Sequence, residues 1–150
     1  ITGITIFQIN NSIDTGMVLY QEKLEITNTD YASNVYDKLS KLFTTSYHLI
    51  DFNAHLKEQV GNSTSTTKFD KNSLNIMYDN LDNAKIKIRA FNVLGPAFTF
   101  FNDKVLKIHS YTEEANSEGI IFNEGVLYPE YVTPEGKKEM LFQDYIRGIK

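Results

Sequence analysis

The chain has 150 residues, a net charge of −4, 41% hydrophobic and 23% charged residues, which is the composition of a folded globular protein and excludes a disordered or fibrous one. It contains no Cys, so disulfides, thiolate catalysis and Cys-based zinc sites are excluded, and a reducing compartment such as the cytoplasm is expected. No apolar run is long enough to cross a bilayer, and the start lacks an initiator Met and a signal-peptide pattern. We therefore expect no membrane contact and a piece of a longer protein.

The first part of the chain is typical of two strands joined by a polar loop and followed by a long helix. Residues 4–7 alternate as in a strand, and residues 17–20 form a second apolar run. Residues 10–16 between them are rich in turn formers, and a loop between strands is a common location for chemistry. Apolar residues at helical spacing then predict a helix over residues 30–57.

The remainder of the chain is β-rich and ends in a short helix. Residues 61–67 have the composition of a polar loop or linker. Residues 81–91 fit both a strand and a helix, and periodicity leaves them open. Two hairpins are predicted around turns at residues 102–103 and 123–125. An apolar stripe over residues 142–149 predicts a terminal helix.

Asp14, in the triplet Asp14-Thr15-Gly16, is the sharpest candidate for a chemical role. A carboxylate in a loop between strands can accept a proton, and a following glycine lets the backbone approach a ligand. On the triplet alone, an Asp that caps a turn through its own side chain is the more frequent case. Aspartic proteases share the triplet but need two such Asp residues, whereas this chain has one. The three His residues form no ligand-spaced cluster, so no metal is expected.

Three segments resemble the methionyl-tRNA formyltransferase family, and they occur in the order found in that family. Residues 3–19 resemble its segment GVTIMQMDEGLDTGDML, residues 89–99 resemble RAFNPWPGAFT, and residues 134–148 resemble its closing pattern PEGKKRMSxxDFLxG. Asn10 and Ser12 stand where the family commonly has Asp and Gly. The resemblance covers most of the chain.

The resemblance implies an α/β fold, namely the end of a Rossmann-like formyltransferase domain followed by a small OB-like β-barrel domain. Residues 1–65 are expected to form the C-terminal portion of the catalytic domain, residues 66–80 a linker and residues 81–150 the small domain, whose first element, residues 81–91, is then a helix. Residues 111–119 are fewer by about one hairpin than such a barrel requires. A complete and an incomplete barrel both stay open.

The implied activity is transfer of a formyl group from 10-formyltetrahydrofolate to the amino group of initiator methionyl-tRNA, by a cytoplasmic monomer. The amine attacks the formyl carbon through a tetrahedral oxyanion, and the Asp14 carboxylate is implied to orient a His and to relay the proton. The family's catalytic Asn and His lie upstream and are absent from this chain, which should therefore be inactive alone. The residues implied for folate binding are Ile9, Asn10, Asn11, Ser12 and Gly16, and those for tRNA phosphates are Lys104, Lys107, Lys137 and Lys138.

Two other functions stay open at this point. A sugar-nucleotide N-formyltransferase shares the catalytic domain, differs in its C-terminal region and acts on an amino-sugar nucleotide. A noncatalytic folate-binding remnant would keep the fold and lose the chemistry. An upstream Asn-x-His followed by Ser-Leu-Leu-Pro would indicate an enzyme, and its absence a remnant.

Overall fold

The structure is a computed structural model that describes residues 1–115 and 118–149. The chain divides into two compact units, Ile1–Thr67 and Lys68–Lys150. None of the helices among the described residues has the length and apolar character needed to cross a bilayer.

The first unit is built on an antiparallel ribbon of two strands. Strand β1 (Thr2–Phe7) pairs with strand β2 (Val18–Leu24), so both strands predicted in this part of the chain are present. The register shifts between Ile6 and Phe7, and such an irregularity bends a strand where pairing is about to end. The shift lies next to the polar loop that connects the two strands.

Helix α1 (Ala32–Ser46) follows the ribbon and continues into a short 3₁₀ turn, Tyr47–Leu49. The predicted continuation of this helix to residue 57 is wrong. Ile50 has extended backbone angles, and Lys57 forms an isolated antiparallel bridge with Val18. A helical Lys57 could not donate its main-chain N–H to Val18, because a helix satisfies that group internally.

The second unit begins with a 3₁₀ turn and helix α2 (Leu81–Phe91). The Asn80 side chain caps this helix by accepting the main-chain N–H of Asn83 at 2.8 Å, a common arrangement at helix starts. The helix expected for residues 81–91 is thus confirmed. The remaining elements are β3 (Ala97–Phe101), β4 (Lys104–Ile108), β5 (Tyr111–Thr112), β6 (Ile120–Phe122), β7 (Gly125–Pro129), β8 (Tyr131–Pro134), β9 (Met140–Leu141) and α3 (Phe142–Arg147).

The strands of the second unit form two sheets, ordered β3-β4-β8-β9 and β5-β7-β6. Both predicted hairpins are present, β3 with β4 and β6 with β7. At the first turn, Asn102 and Asp103 have φ angles of 50° and 59°, the left-handed conformation that tight hairpin turns require. The main-chain N–H of His109 donates to the Tyr131 oxygen at 2.9 Å, which continues the pairing of β4 with β8 within the first of these sheets. The fold is therefore α/β with a small β domain.

Residues 66–80 were predicted to be a linker, and residues 68–80 of this stretch lie within the second compact unit. Ile76 is completely buried there, and its main-chain N–H donates to the Phe98 oxygen at 2.9 Å. This stretch extends the sheet at the β3 edge.

Buried apolar side chains are concentrated in the second unit. Among the described residues, fifteen hydrophobic side chains are buried, and Ile50 is the one that belongs to the first unit. The core of the second unit includes Ile88 of α2, Leu106 of β4, Val132 of β8 and Phe142 of α3, each almost inaccessible to solvent.

Candidate functional site

The loop between β1 and β2 is closed and shaped by its own polar groups. The main-chain N–H of Gln8 donates to the Met17 oxygen at 2.9 Å, which closes the loop at its base. Inside, the Asn10 side-chain oxygen accepts the main-chain N–H of Ser12 at 3.0 Å and the Thr15 hydroxyl at 2.9 Å. This is an Asx-type turn. An Asn oxygen serves here as well as the Asp found at this position in the family, because both offer an acceptor.

Asp14 lies in this loop with a φ angle of 55°. The left-handed region is uncommon for residues other than glycine, although Asp tolerates it better than most. Its side chain is exposed, and the Asx turn of the loop is made by Asn10. The loop thus presents the Asp14 carboxylate to solvent.

Gly16 is buried, and its missing side chain has a structural reason. A Cβ atom built on Gly16 would lie 1.6 Å from the main-chain oxygen of Gln8, far inside the contact distance of the two atoms. The two arms of the loop can therefore approach each other only if residue 16 is glycine.

A third stretch of chain, residues 57–60, lies against the ribbon. Val18 and Lys57 exchange two main-chain hydrogen bonds of 2.7 and 2.8 Å. The Gln59 side-chain amide donates to the main-chain oxygens of Asp14 at 2.9 Å and Gly16 at 2.7 Å. A cleft of about 600 Å³ lies between this stretch and the ribbon, and Asp14, Lys57 and Gln59 are among its lining residues.

The other residues predicted to bind folate stay on the loop, outside the lining of this cleft. They are Ile9, Asn10, Asn11 and Ser12, all of which are exposed. The Ile9 side chain is 90% exposed, and that of Ile13 is 89% exposed. The loop thus leaves two large apolar side chains exposed to solvent.

A carboxylate network connects β2 to the end of α1. Glu22 accepts hydrogen bonds from the hydroxyls of Ser46 and Tyr20. These bonds, that of Ser46 first, lower the pKa of Glu22 below its usual value, while the bond to Glu22 raises the pKa of Tyr20. Tyr20 lines the cleft, but its proton is engaged by Glu22. We therefore assign this network to the anchoring of α1.

Two of the four lysines predicted to contact tRNA lie together. Lys107 and Lys137 line a cavity of about 270 Å³ in the second unit, together with Thr133. The Lys137 ammonium also lies 5.4 Å from the centre of the Tyr145 ring, within reach of a cation–π interaction. Lys104 and Lys138 are exposed but do not line that cavity.

His109 has a structural partner and belongs to no metal cluster. One ring nitrogen of His109 lies 2.8 Å from the Thr133 hydroxyl. Within residues 1–115 and 118–149, no group of three His, Asp or Glu side chains could hold a metal ion.

Comparison with known proteins supports the resemblance seen in the sequence. A family model described as "Formyl transferase" matches residues 1–48, which include the Asp14 loop. The chain is 30% identical over 166 aligned residues to methionyl-tRNA formyltransferase from Ehrlichia chaffeensis, covering 98% of this chain and 54% of the relative. The chain thus spans about half the length of the curated relatives that it matches.

Two solved structures have the same fold. HypX from Aquifex aeolicus aligns with a TM-score of 0.71 at 11% identity, covering 99% of this chain and 31% of HypX. Methionyl-tRNA formyltransferase from Clostridium thermocellum aligns with a TM-score of 0.61 at 15% identity, covering 94% and 56% of the two chains. Residues 1–48 thus match the formyltransferase family model, and the chain is similar to methionyl-tRNA formyltransferases over nearly its whole length.

Proposed function

We propose that this chain is the C-terminal portion of a cytoplasmic enzyme that transfers the formyl group of 10-formyltetrahydrofolate to the amino group of initiator methionyl-tRNA. One observation carries the proposal. The exposed carboxylate of Asp14 lies on a closed loop at the edge of a cleft, within the segment that the formyltransferase model matches. The curated relatives, named methionyl-tRNA formyltransferases, support the choice of acceptor.

The cleft beside Asp14 is large enough to hold part of a 10-formyltetrahydrofolate molecule. Its volume of about 600 Å³ is within the usual range for a small-molecule site. When bound, 10-formyltetrahydrofolate supplies an electrophilic formyl carbon. Residues 9–12 are exposed on the loop, and main-chain groups of this stretch are proposed to hydrogen-bond the pterin ring of the folate. A HypX structure described as a complex with tetrahydrofolic acid has the same fold and supports a folate donor.

Asp14 is proposed to move the proton. An attacking amine must lose a proton, and the departing folate nitrogen must gain one, so a positioned carboxylate can accept the first and return it. The hydrogen bond that Asp14 accepts from Gln59 is through the main-chain oxygen. This bond holds the residue and leaves both carboxylate oxygens available.

The rest of the active site is proposed to come from upstream residues. Stabilising the negative charge of acyl transfer needs aligned donors and a site closed to water, and the Asp14 loop is open to solvent. Ile9, Ile13 and Val60 expose 89% or more of their surface. An upstream portion that covers these side chains would also bring the family's catalytic Asn and His to Asp14.

A fusion protein tests the proposal. The upstream portion of the Ehrlichia chaffeensis relative is joined ahead of Ile1, and formyl transfer to initiator methionyl-tRNA is measured with the fusion and with the 150-residue chain. We expect activity in the fusion and none in the chain alone. Transfer by the chain alone would overturn the need for upstream residues. A folded fusion that binds the folate but formylates nothing would overturn the assigned reaction.

A further inference from the structure

We propose that Gln59 is a positioning residue that fixes the loop carrying Asp14. The inference rests on the proposed function in one respect, namely that Asp14 is the catalytic carboxylate. Gln59 lies outside the segment that matches the formyltransferase model and 45 residues beyond Asp14 in the chain. It acts through the main chain of the loop.

The conformation of Asp14 needs support from its surroundings. A φ angle of 55° is disfavoured for a residue with a Cβ atom, and such a conformation persists only where neighbouring groups hold it. The bonds made by Asn10 shape the part of the loop from Ser12 to Thr15. They do not connect Asp14 to another part of the fold.

Gln59 supplies that connection from a distant stretch of chain. One side-chain nitrogen donates to the main-chain oxygens on both sides of Thr15, at 2.9 Å to Asp14 and at 2.7 Å to Gly16. A primary amide carries two N–H bonds on that nitrogen, so each carbonyl can have its own hydrogen. The amide therefore fixes the spacing of the two peptide groups as well as their position.

Gln59 is itself anchored close to the loop. Lys57, two residues earlier, exchanges two main-chain hydrogen bonds with Val18, and Val18 is the first residue of β2. The donor thus belongs to a stretch that is attached to the same ribbon as the loop. A donor attached to the ribbon can keep Asp14 in a constant position relative to the ribbon and the cleft.

Two substitutions remove the donor in different ways. Gln59→Glu keeps the shape and places an acceptor against two carbonyl oxygens, whereas Gln59→Met keeps the length without adding charge. Asn53→Asp, in the same unit, is the matched control, because it makes the same amide-to-acid change at an exposed side chain away from the loop. All three are made in the fusion protein and in the 150-residue chain.

In the fusion, we expect both Gln59 variants to lower kcat by roughly ten- to a hundredfold, since misplacing a catalytic group by about 1 Å can cost about a hundredfold. The folate KM should change less than kcat does, because the Gln59 amide is bonded to Asp14 and Gly16 and not to residues 9–12, which are proposed to bind the folate. In the 150-residue chain, amide exchange at Ser12 and Gln8 should be several times faster in both variants. Asn53→Asp should change neither measurement.

The two readouts separate this inference from the proposed function. An inactive parent fusion would contradict the proposed function, and amide exchange in the chain would still decide whether Gln59 holds the loop. Unchanged exchange in both Gln59 variants would overturn the inference. A kcat equal to that of the parent in both Gln59 variants would also overturn the inference. A change seen only in Gln59→Glu would overturn it too, because the effect would then come from the added charge.

Discussion

The two units of this chain differ in how they are stabilised. The second unit encloses apolar side chains from two helices and both sheets, such as Ile88, Leu127 and Phe142. The first unit has a ribbon, a helix and one buried hydrophobic side chain among its described residues, that of Ile50. Since burial of apolar surface is the main favourable term in folding, this term contributes more to the stability of the second unit than to that of the first. The Asp14 loop lies in the unit with the smaller apolar core.

The largest expected effect tests the core of the second unit against the surface of the first. Phe142→Ala removes a completely buried ring that contacts Phe101 at 5.6 Å between centroids, and should lower the free energy of unfolding of this unit by about 3–5 kcal/mol. Amide exchange of β4 and β8 measures it. Phe52→Ala removes a ring that is 61% exposed, and should change the stability of the first unit by less than about 1 kcal/mol. Equal losses in the two units would contradict the comparison.

The next effect tests whether the chemistry belongs to the first unit. In the fusion protein, Asp14→Asn keeps the size and tolerates the left-handed backbone but loses the basic carboxylate. Turnover should fall by on the order of a hundredfold or more, while folate binding, measured by equilibrium titration, should survive. Asp51→Asn makes the same change at an exposed residue and should leave turnover unchanged. An active Asp14→Asn enzyme would return Asp14 to a role in the turn.

A smaller effect concerns the second unit and the acceptor. If Lys104, Lys107, Lys137 and Lys138 contact tRNA phosphates, each Lys→Ala variant should weaken binding at all sequences and lower the log–log salt slope by roughly one unit. Filter binding of charged initiator tRNA to the fusion protein across a salt series measures this slope. If binding does not depend on salt in the parent or in any of the four variants, tRNA is excluded as the acceptor. An amino-sugar nucleotide would then be favoured, because its diphosphate cannot reach four separate lysines.

The smallest effect concerns the polar contacts that hold the first unit. Lys38, 2.7 Å from Asp30, and then the Thr27 main-chain N–H hold the pKa of Asp30 at about 2. Because this pKa is below that of the unfolded chain, the contribution of Asp30 is complete above about pH 4. It is lost as the pH falls from there through 2. Asp30→Asn should remove this part of the acid dependence, measured by circular dichroism at a series of pH values. The exposed Asp37→Asn variant should retain it.

Features of the fold that depend on neighbouring residues could be predicted from the sequence, whereas features that depend on distant contacts could not. The hairpin at residues 102–103 was predictable, because its turn residues are those that adopt positive φ angles. The end of α1 was not, because the bridge between Lys57 and Val18 joins residues 39 apart, and helical spacing contains no information about such a contact. Asp14 could be proposed as a site residue from the sequence, because the segment around it resembles the family's. Gln59 could not, because one Gln in a polar stretch has no local pattern that signals its hydrogen bonds to a distant loop.

The close approach at Gly16 gives the triplet two independent constraints. No side chain fits at residue 16, since even a methyl group would overlap the Gln8 oxygen. We therefore expect every substitution there to disrupt the loop, whatever its chemical character. At Asp14 there is room, and amino acids that accept the backbone angle can fold while failing to react. Saturation mutagenesis of the two positions, scored once for soluble protein and once for turnover, would therefore separate the geometric requirement from the chemical one within three consecutive residues.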